Sequence, residues 1–147
     1  MKVEIITDPQ LNKPEIVIRT PSITPEILTL ASELRHQSDG STLIVFRENE
    51  AFILRLPTIL RFFADGKGVS CQTEEETYCV RQRLYELEDH LAGTRFVRVS
   101  HSEIINLDHV TALDLSLSGT IRITLTGGAT AYASRRYVKK LKQAVGL

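Results

Sequence analysis

The apolar positions of this chain change their spacing several times. In "KVEIIT" (2–7) and "EIVIRT" (15–20), Val and Ile cluster between charged residues, which predicts two short strands with "DPQLNKP" as turn material between them. The spacing then turns helical. Ile27, Leu28, Leu30, Ala31 and Leu34 share a face, Thr24 is placed to cap the helix, and Pro25 stands at its first position. "QSDGS" (37–41) interrupts the pattern, so residues 1–40 read as a small strand–strand–helix unit and residues 41–147 as a separate domain.

Short strands dominate from Ser41 onward. "TLIVFR" and "AFILRL" flank "ENE" as a hairpin, and "LPTILRFFA" bends at Pro57 before continuing as a strand into the turn "DGKG". "VSCQT" and "TYCVR" flank the acidic tip "EEE". A single helix over 74–91 competes for part of this stretch, but Thr77, Tyr78 and Val80 favour a strand. A helix then follows over "QRLYELEDHL", with Leu84, Leu87 and Leu91 on one face and Gly93 at its end. "RFVRVS", "SEIINL", "VTALDLSL", "TIRITL" and "ATAYA" read as strands, the last two joined by Gly127-Gly128, the signal of a two-residue hairpin turn. Ser134 is placed to cap a final helix with Tyr137, Val138, Leu141, Ala144 and Val145 as its apolar stripe and Gly146 at its end. The expected fold class is mainly β (α+β), with three short helices at most.

Composition narrows the classes. The chain has 147 residues, 42% of them hydrophobic, as in a globular protein of one domain or a domain with a small annex. The N-terminus lacks the long apolar core of a signal peptide, and no apolar run approaches the roughly 18 residues that span a bilayer. A cytoplasmic protein without membrane insertion is expected. Cys71 and Cys79 form no Cys-x-x-Cys pair and the four histidines are scattered, so no metal or other cofactor is expected.

Catalysis is not expected either. Ser100, His101 and Asp108 supply the residue types of a hydrolase triad, but neighbours on a strand point to opposite faces. No Gly-x-Ser-x-Gly elbow is present, and "DGKG" lacks the spacing and the following Ser/Thr of a phosphate loop.

Charge sharpens the picture. The net charge is zero, yet residues 1–92 carry 10 Lys/Arg against 15 Asp/Glu, and residues 93–147 carry 8 against 3. Arg135, Arg136, Lys139, Lys140 and Lys142 concentrate the positive end in "YASRRYVKKLKQ" (132–143). Cations in the first turn of a helix oppose its macrodipole by about 0.3–1 kcal/mol, so two arginines at that place suit an anion better than solvent. Nucleic-acid phosphate is the most abundant polyanion available, and arginine is the commonest reader of guanine. A small phosphorylated ligand fits the same chemistry.

"FVRVSHSEIINLDHV", followed after one hairpin by "YASRRYVKKLK", resembles the signature of the LytTR DNA-binding domain family. The resemblance extends over roughly residues 42–147. It implies a LytTR-like β-sandwich with short helices whose loops enter successive major grooves of bacterial promoter DNA at paired repeats. Carried onto this chain, the motif puts Lys67 in the first loop and Ser100, His101 and Ser102 in the second. Ser134, Arg135 and Arg136 fall in the third, with Arg136 at the base-reading position. Lys139 and Lys142 lie along the flank of the final helix and are expected to meet phosphates only. Asn106 matches the motif as a turn residue. Residues 1–40 are too short for a receiver domain and Asp8 stands alone, so the stand-alone type is expected. With no ligand chemistry of its own, the N-terminal unit is assigned to homodimerisation. The competing class is a protein-interaction module without DNA binding, served by unpaired strands of that unit.

Overall fold

Two units make up the chain, Met1–Ser38 and Asp39–Leu147. The computed structural model describes residues 1–12, 14–38, 42–66 and 68–147. In the first unit, helix α1 (Pro25–Ser38) is capped as expected, Ile27 donating its N–H to Thr24 Oγ1 at 3.3 Å. The two strands expected before it do not form: residues 2–7 and 15–20 belong to no strand or helix. Fixing a residue in β conformation costs about 1–2 kcal/mol, and a strand recovers that only through a hydrogen-bonded neighbour. None exists among the described residues. Val3 and Ile5 are accordingly 85% and 93% exposed, and no described residue of this unit is buried.

The second unit holds the core. Strands β1 (Thr42–Arg47), β2 (Glu50–Arg55), β3 (Ile59–Asp65), β4 (Gly68–Thr73) and β5 (Thr77–Val80) are followed by helix α2 (Leu84–His90). Then come β6 (Phe96–Ser100), β7 (Glu103–Asn106), β8 (Val110–Asp114), β9 (Ile121–Leu125), β10 (Thr130–Ala133) and helix α3 (Val138–Val145). One antiparallel sheet runs β2-β1-β5-β4-β3-β7-β6, and a second runs β10-β9-β8. Thr77, Tyr78 and Val80 do lie in a strand, so the short hairpin rather than one long helix follows β4.

Alternation builds two core layers. Ile104 turns to one face of the large sheet, with Leu43, Val45 and Phe62 against Leu84, Leu87 and Leu91 around α2. Its neighbour Ile105 turns to the other face with Leu60 and Val99, where Ile121, Ile123, Leu125, Ala131 and Ala133 of the small sheet meet them. Leu141 of α3 closes this second layer. Each buried Val, Leu, Ile or Phe contributes about 1.5–3 kcal/mol, so the first layer holds α2 on the large sheet and the second holds the two sheets face to face.

Two local expectations meet their outcome here. Gly127 and Gly128 have φ of 81° and 89°, the positive values that favour glycine, but their hairpin has a three-residue connection closed by Leu125 N–H on Ala129 C=O at 2.8 Å. Cys71 lies opposite Tyr78 and Cys79 opposite Ser70, so the two cysteines face opposite sides of the sheet. Asn106 is the expected turn residue: its Oδ1 accepts from Asp108 N–H at 3.0 Å and its Nδ2 donates to Ile59 C=O at 2.9 Å.

Candidate nucleic-acid interface

Ser100 and Glu103 pair at the end of the β6–β7 hairpin, which leaves His101 and Ser102 as its tip. The register slips between Arg98 and Ser100, a bulge that tightens the chain just before the tip. Ser102 N–H donates to Ser100 Oγ at 3.2 Å, and Ser102 C=O accepts from Ala64 N–H at 2.9 Å. The second bond ties the tip to the end of β3. The β3–β4 turn therefore lies at the same end of the sheet as His101, because Asp65 and Gly68 pair directly beyond Ala64. Lys67, the residue expected to act from that turn, lies outside the described residues. The acidic tip Glu74–Glu76 follows the opposite end of β4, about 20 Å away at 3.3 Å per residue. The three glutamates of that tip are thus kept from this end of the sheet.

The third expected segment arrives from the small sheet. Ser134 follows β10 and donates its N–H to Val99 C=O at 2.9 Å, which docks the chain against β6 one residue before Ser100. Arg135–Tyr137 then forms a single 3₁₀ turn, closed by Tyr137 N–H on Ser134 C=O at 2.8 Å, and α3 begins only at Val138. This corrects two expectations: Ser134 makes no side-chain cap, and the arginines precede the helix rather than occupy its first turn. Of the expected stripe, Val138 packs partly buried against the second core layer and Leu141 is fully buried, whereas Ala144 and Val145 are exposed.

The two arginines part company. Arg136 lines a cleft together with His101, Ser102, Arg98, Glu88 and Leu84. The Arg135 guanidinium instead lies over Gly119, with Nε and Nη2 each 2.9 Å from where a Cβ would stand. Lys139 and Lys142 are exposed on α3 without an ion pair among the described residues, whereas Lys140 meets Glu88 at 3.5 Å. Both carboxylates near the hairpin tip are engaged: Glu88 by Lys140 and Arg98, Glu103 by Arg61 at 2.8 Å. Burial pushes the Glu103 carboxyl up, against the pull of the Arg61 guanidinium. What this surface presents is an exposed imidazole, two hydroxyls and the Arg136 guanidinium, which stands 5.9 Å from the centre of the Tyr137 ring, with two lysines beyond them and no unpaired carboxylate among the described residues lining the cleft.

That surface belongs to a stretch with known relatives: residues 49–146 match the family described as LytTr DNA-binding domain. The chain belongs to this family. A solved LytTr DNA-binding domain from Bacillus cereus superposes with a TM-score of 0.69 at 20% identity, covering 73% of this chain and 98% of that one. The LytTr fold expected from the motifs is the fold observed. Proteins from Staphylococcus aureus strains MSSA476 and MRSA252 are 27% and 26% identical over 147 residues, covering all of this chain and 99% of each relative. Both are described as HTH-type transcriptional regulators. In this LytTr chain, however, α2 and α3 are separated by β6–β10, so the described residues hold no pair of helices joined by a short turn. Its candidate surface is made of a hairpin tip and a 3₁₀ turn.

Arg98 was missing from the expected site. Its guanidinium donates through Nε to Ser100 C=O at 3.1 Å and through Nη2 to His101 C=O at 2.7 Å. The sequence did hold a signal. In "FVRVS" Arg98 shares its strand face with Phe96, which packs into the core, and a cation at such a position needs partners.

Proposed function

We propose that this protein is a sequence-specific regulator of transcription that binds double-stranded promoter DNA. His101, Ser102 and Arg136 would read base edges in a major groove, and Lys139 and Lys142 would hold phosphates. The observation that carries this reading is the junction of Ser134 N–H with Val99 C=O, which brings the two polar segments to one cleft. Arginine and histidine there can donate to guanine O6 and N7, each good bidentate pair giving about 1–3 kcal/mol of discrimination. Membership in the LytTr family and the regulator descriptions of the staphylococcal relatives support it.

Arg135 acts differently in this proposal. Held over Gly119, it meets the phosphate backbone rather than a base, while Ser100 and Ser134 contribute hydroxyls at the rim. Lys67, in the loop "DGKG" of the sequence, is assigned to the same DNA as the reader of the first loop. The protein acts in the cytoplasm as a homodimer on paired repeats, without catalytic activity.

Residues 1–40 supply the dimer contact in this scheme, because their exposed Val and Ile side chains lack partners among the described residues. A shift of promoter DNA by the full-length protein tests the function. Retardation is expected at low salt, with affinity falling steeply as salt rises because released counterions drive binding. No retardation at micromolar protein and low salt would favour the interaction-module class instead.

A further inference from the structure

Arg98 shares a cleft with the polar groups of the hairpin tip, but only about a tenth of its side chain is exposed. It uses three of its nitrogens internally: Nε on Ser100 C=O, Nη2 on His101 C=O, and Nη1 on Glu88 Oε1 at 3.3 Å. The two carbonyls are consecutive and belong to the residues that form and lead into the tip. Glu88 in turn reaches Lys140 of α3 at 3.5 Å through its other oxygen. A single chain of charged groups thus runs from the hairpin tip, through α2, to the helix that follows Arg136.

We propose that Arg98 is a positioning residue for base recognition, fixing the conformation of His101–Ser102 and, through Glu88 and Lys140, its register with the Arg136 turn. The inference rests on the DNA-binding function proposed above and adds a residue that would touch no DNA. Its physical basis is the guanidinium fork. A flat fork donates in two directions to two carbonyls at once, and a lysine ammonium on a flexible stem cannot hold that geometry. Without the fork, His101 and Ser102 are kept by the Ala64 and Ser100 contacts alone, and the side chains sample several orientations before each encounter with a base. Phosphate contacts tolerate such motion, because a charge acts over a distance that a bidentate hydrogen bond does not.

The test uses full-length protein and a short duplex enriched by the wild type from a random-sequence pool, with its scrambled counterpart as control. Arg98→Lys is expected to reduce the preference for the enriched duplex by about tenfold while leaving scrambled binding and its salt dependence unchanged. In the DNA-free variant, ¹⁵N relaxation should show new fast motion at residues 100–103 and nowhere in the strands. Glu88→Gln keeps the shape and removes the charge, and should lower the preference by about threefold in the same direction, as expected for a partly exposed ion pair. It serves as the test if Arg98→Lys does not fold. A selective wild type whose folded Arg98→Lys variant, or failing that its Glu88→Gln variant, keeps the same preference and the same order at 100–103 overturns this proposal alone. So does a parallel loss on both duplexes, which marks a purely structural role. A wild type that enriches no sequence overturns the proposed function and this inference with it.

Discussion

Ser134 donates its backbone N–H to the carbonyl of Val99 at 2.9 Å, and this one bond joins the exit of β10 to the strand that leads into the hairpin tip. His101, Ser102 and Arg136 reach the cleft from the two segments it holds together. Ser134 has φ of −71°, close to the value a proline ring imposes, so Ser134→Pro removes the donor without forcing the backbone. We expect the variant to fold with a loss of about 1 kcal/mol and to lose preference for a cognate site over a scrambled one. Ser134→Ala keeps the donor and should retain that preference. Denaturant midpoints and paired DNA titrations of the two variants check this.

Gly119 has φ of 75°, and the Arg135 guanidinium occupies the space beside it. Gly119→Ala meets two obstacles: the left-handed backbone costs about 1–2 kcal/mol for an L residue, and the new methyl displaces the arginine. Lower stability is the expected outcome, with weaker binding to any duplex and no change in preference. Selective loss on the cognate duplex would show that Arg135 reads a base.

The two thiols should separate cleanly. Burial pushes the Cys71 thiol up to about 12, so it stays protonated and enclosed in the native protein, while Cys79 is exposed on the opposite face of the sheet. A chromogenic thiol reagent should titrate one equivalent from native protein and the second only after unfolding. Two rapid equivalents from the native state would contradict the register of β4 with β5.

Both core layers are made of residues from 43 to 141, so removal of residues 1–39 leaves them intact. The shortened protein should fold, run as a monomer, and bind DNA less tightly than the full chain. Sedimentation of both forms checks the dimer contact assigned to the N-terminal segment. A full-length protein that is monomeric on DNA and off it contradicts that assignment.

The elements of the second unit were legible because their signals are local. Alternation in "TIRITL" and "ATAYA" with Gly127-Gly128 between them specifies a hairpin from a few residues, and Leu84, Leu87 and Leu91 define a helix face in the same way. "KVEIIT" carries the same alternation, but a strand is a relation between segments, and its propensity found no partner among the described residues. The candidate site was legible as a motif rather than as geometry. Spacing singled out Ser134, Arg135 and Arg136 together, yet the separation of the two arginines depends on Gly119, far along the chain in another turn. The role of Arg98 depends on two backbone carbonyls, which no pattern of side chains encodes.

The central claim is that the cleft reads sequence through Arg136 while Lys139 holds phosphate. The most direct measurement compares Arg136→Ala and Lys139→Ala on a cognate and a scrambled duplex across a range of salt. Arg136→Ala should flatten the preference by about 1–3 kcal/mol, and Lys139→Ala should weaken both duplexes alike and reduce the salt slope by about one unit. If Arg136→Ala instead weakens both duplexes equally, the turn is a phosphate clamp and the account of sequence reading at this cleft is wrong.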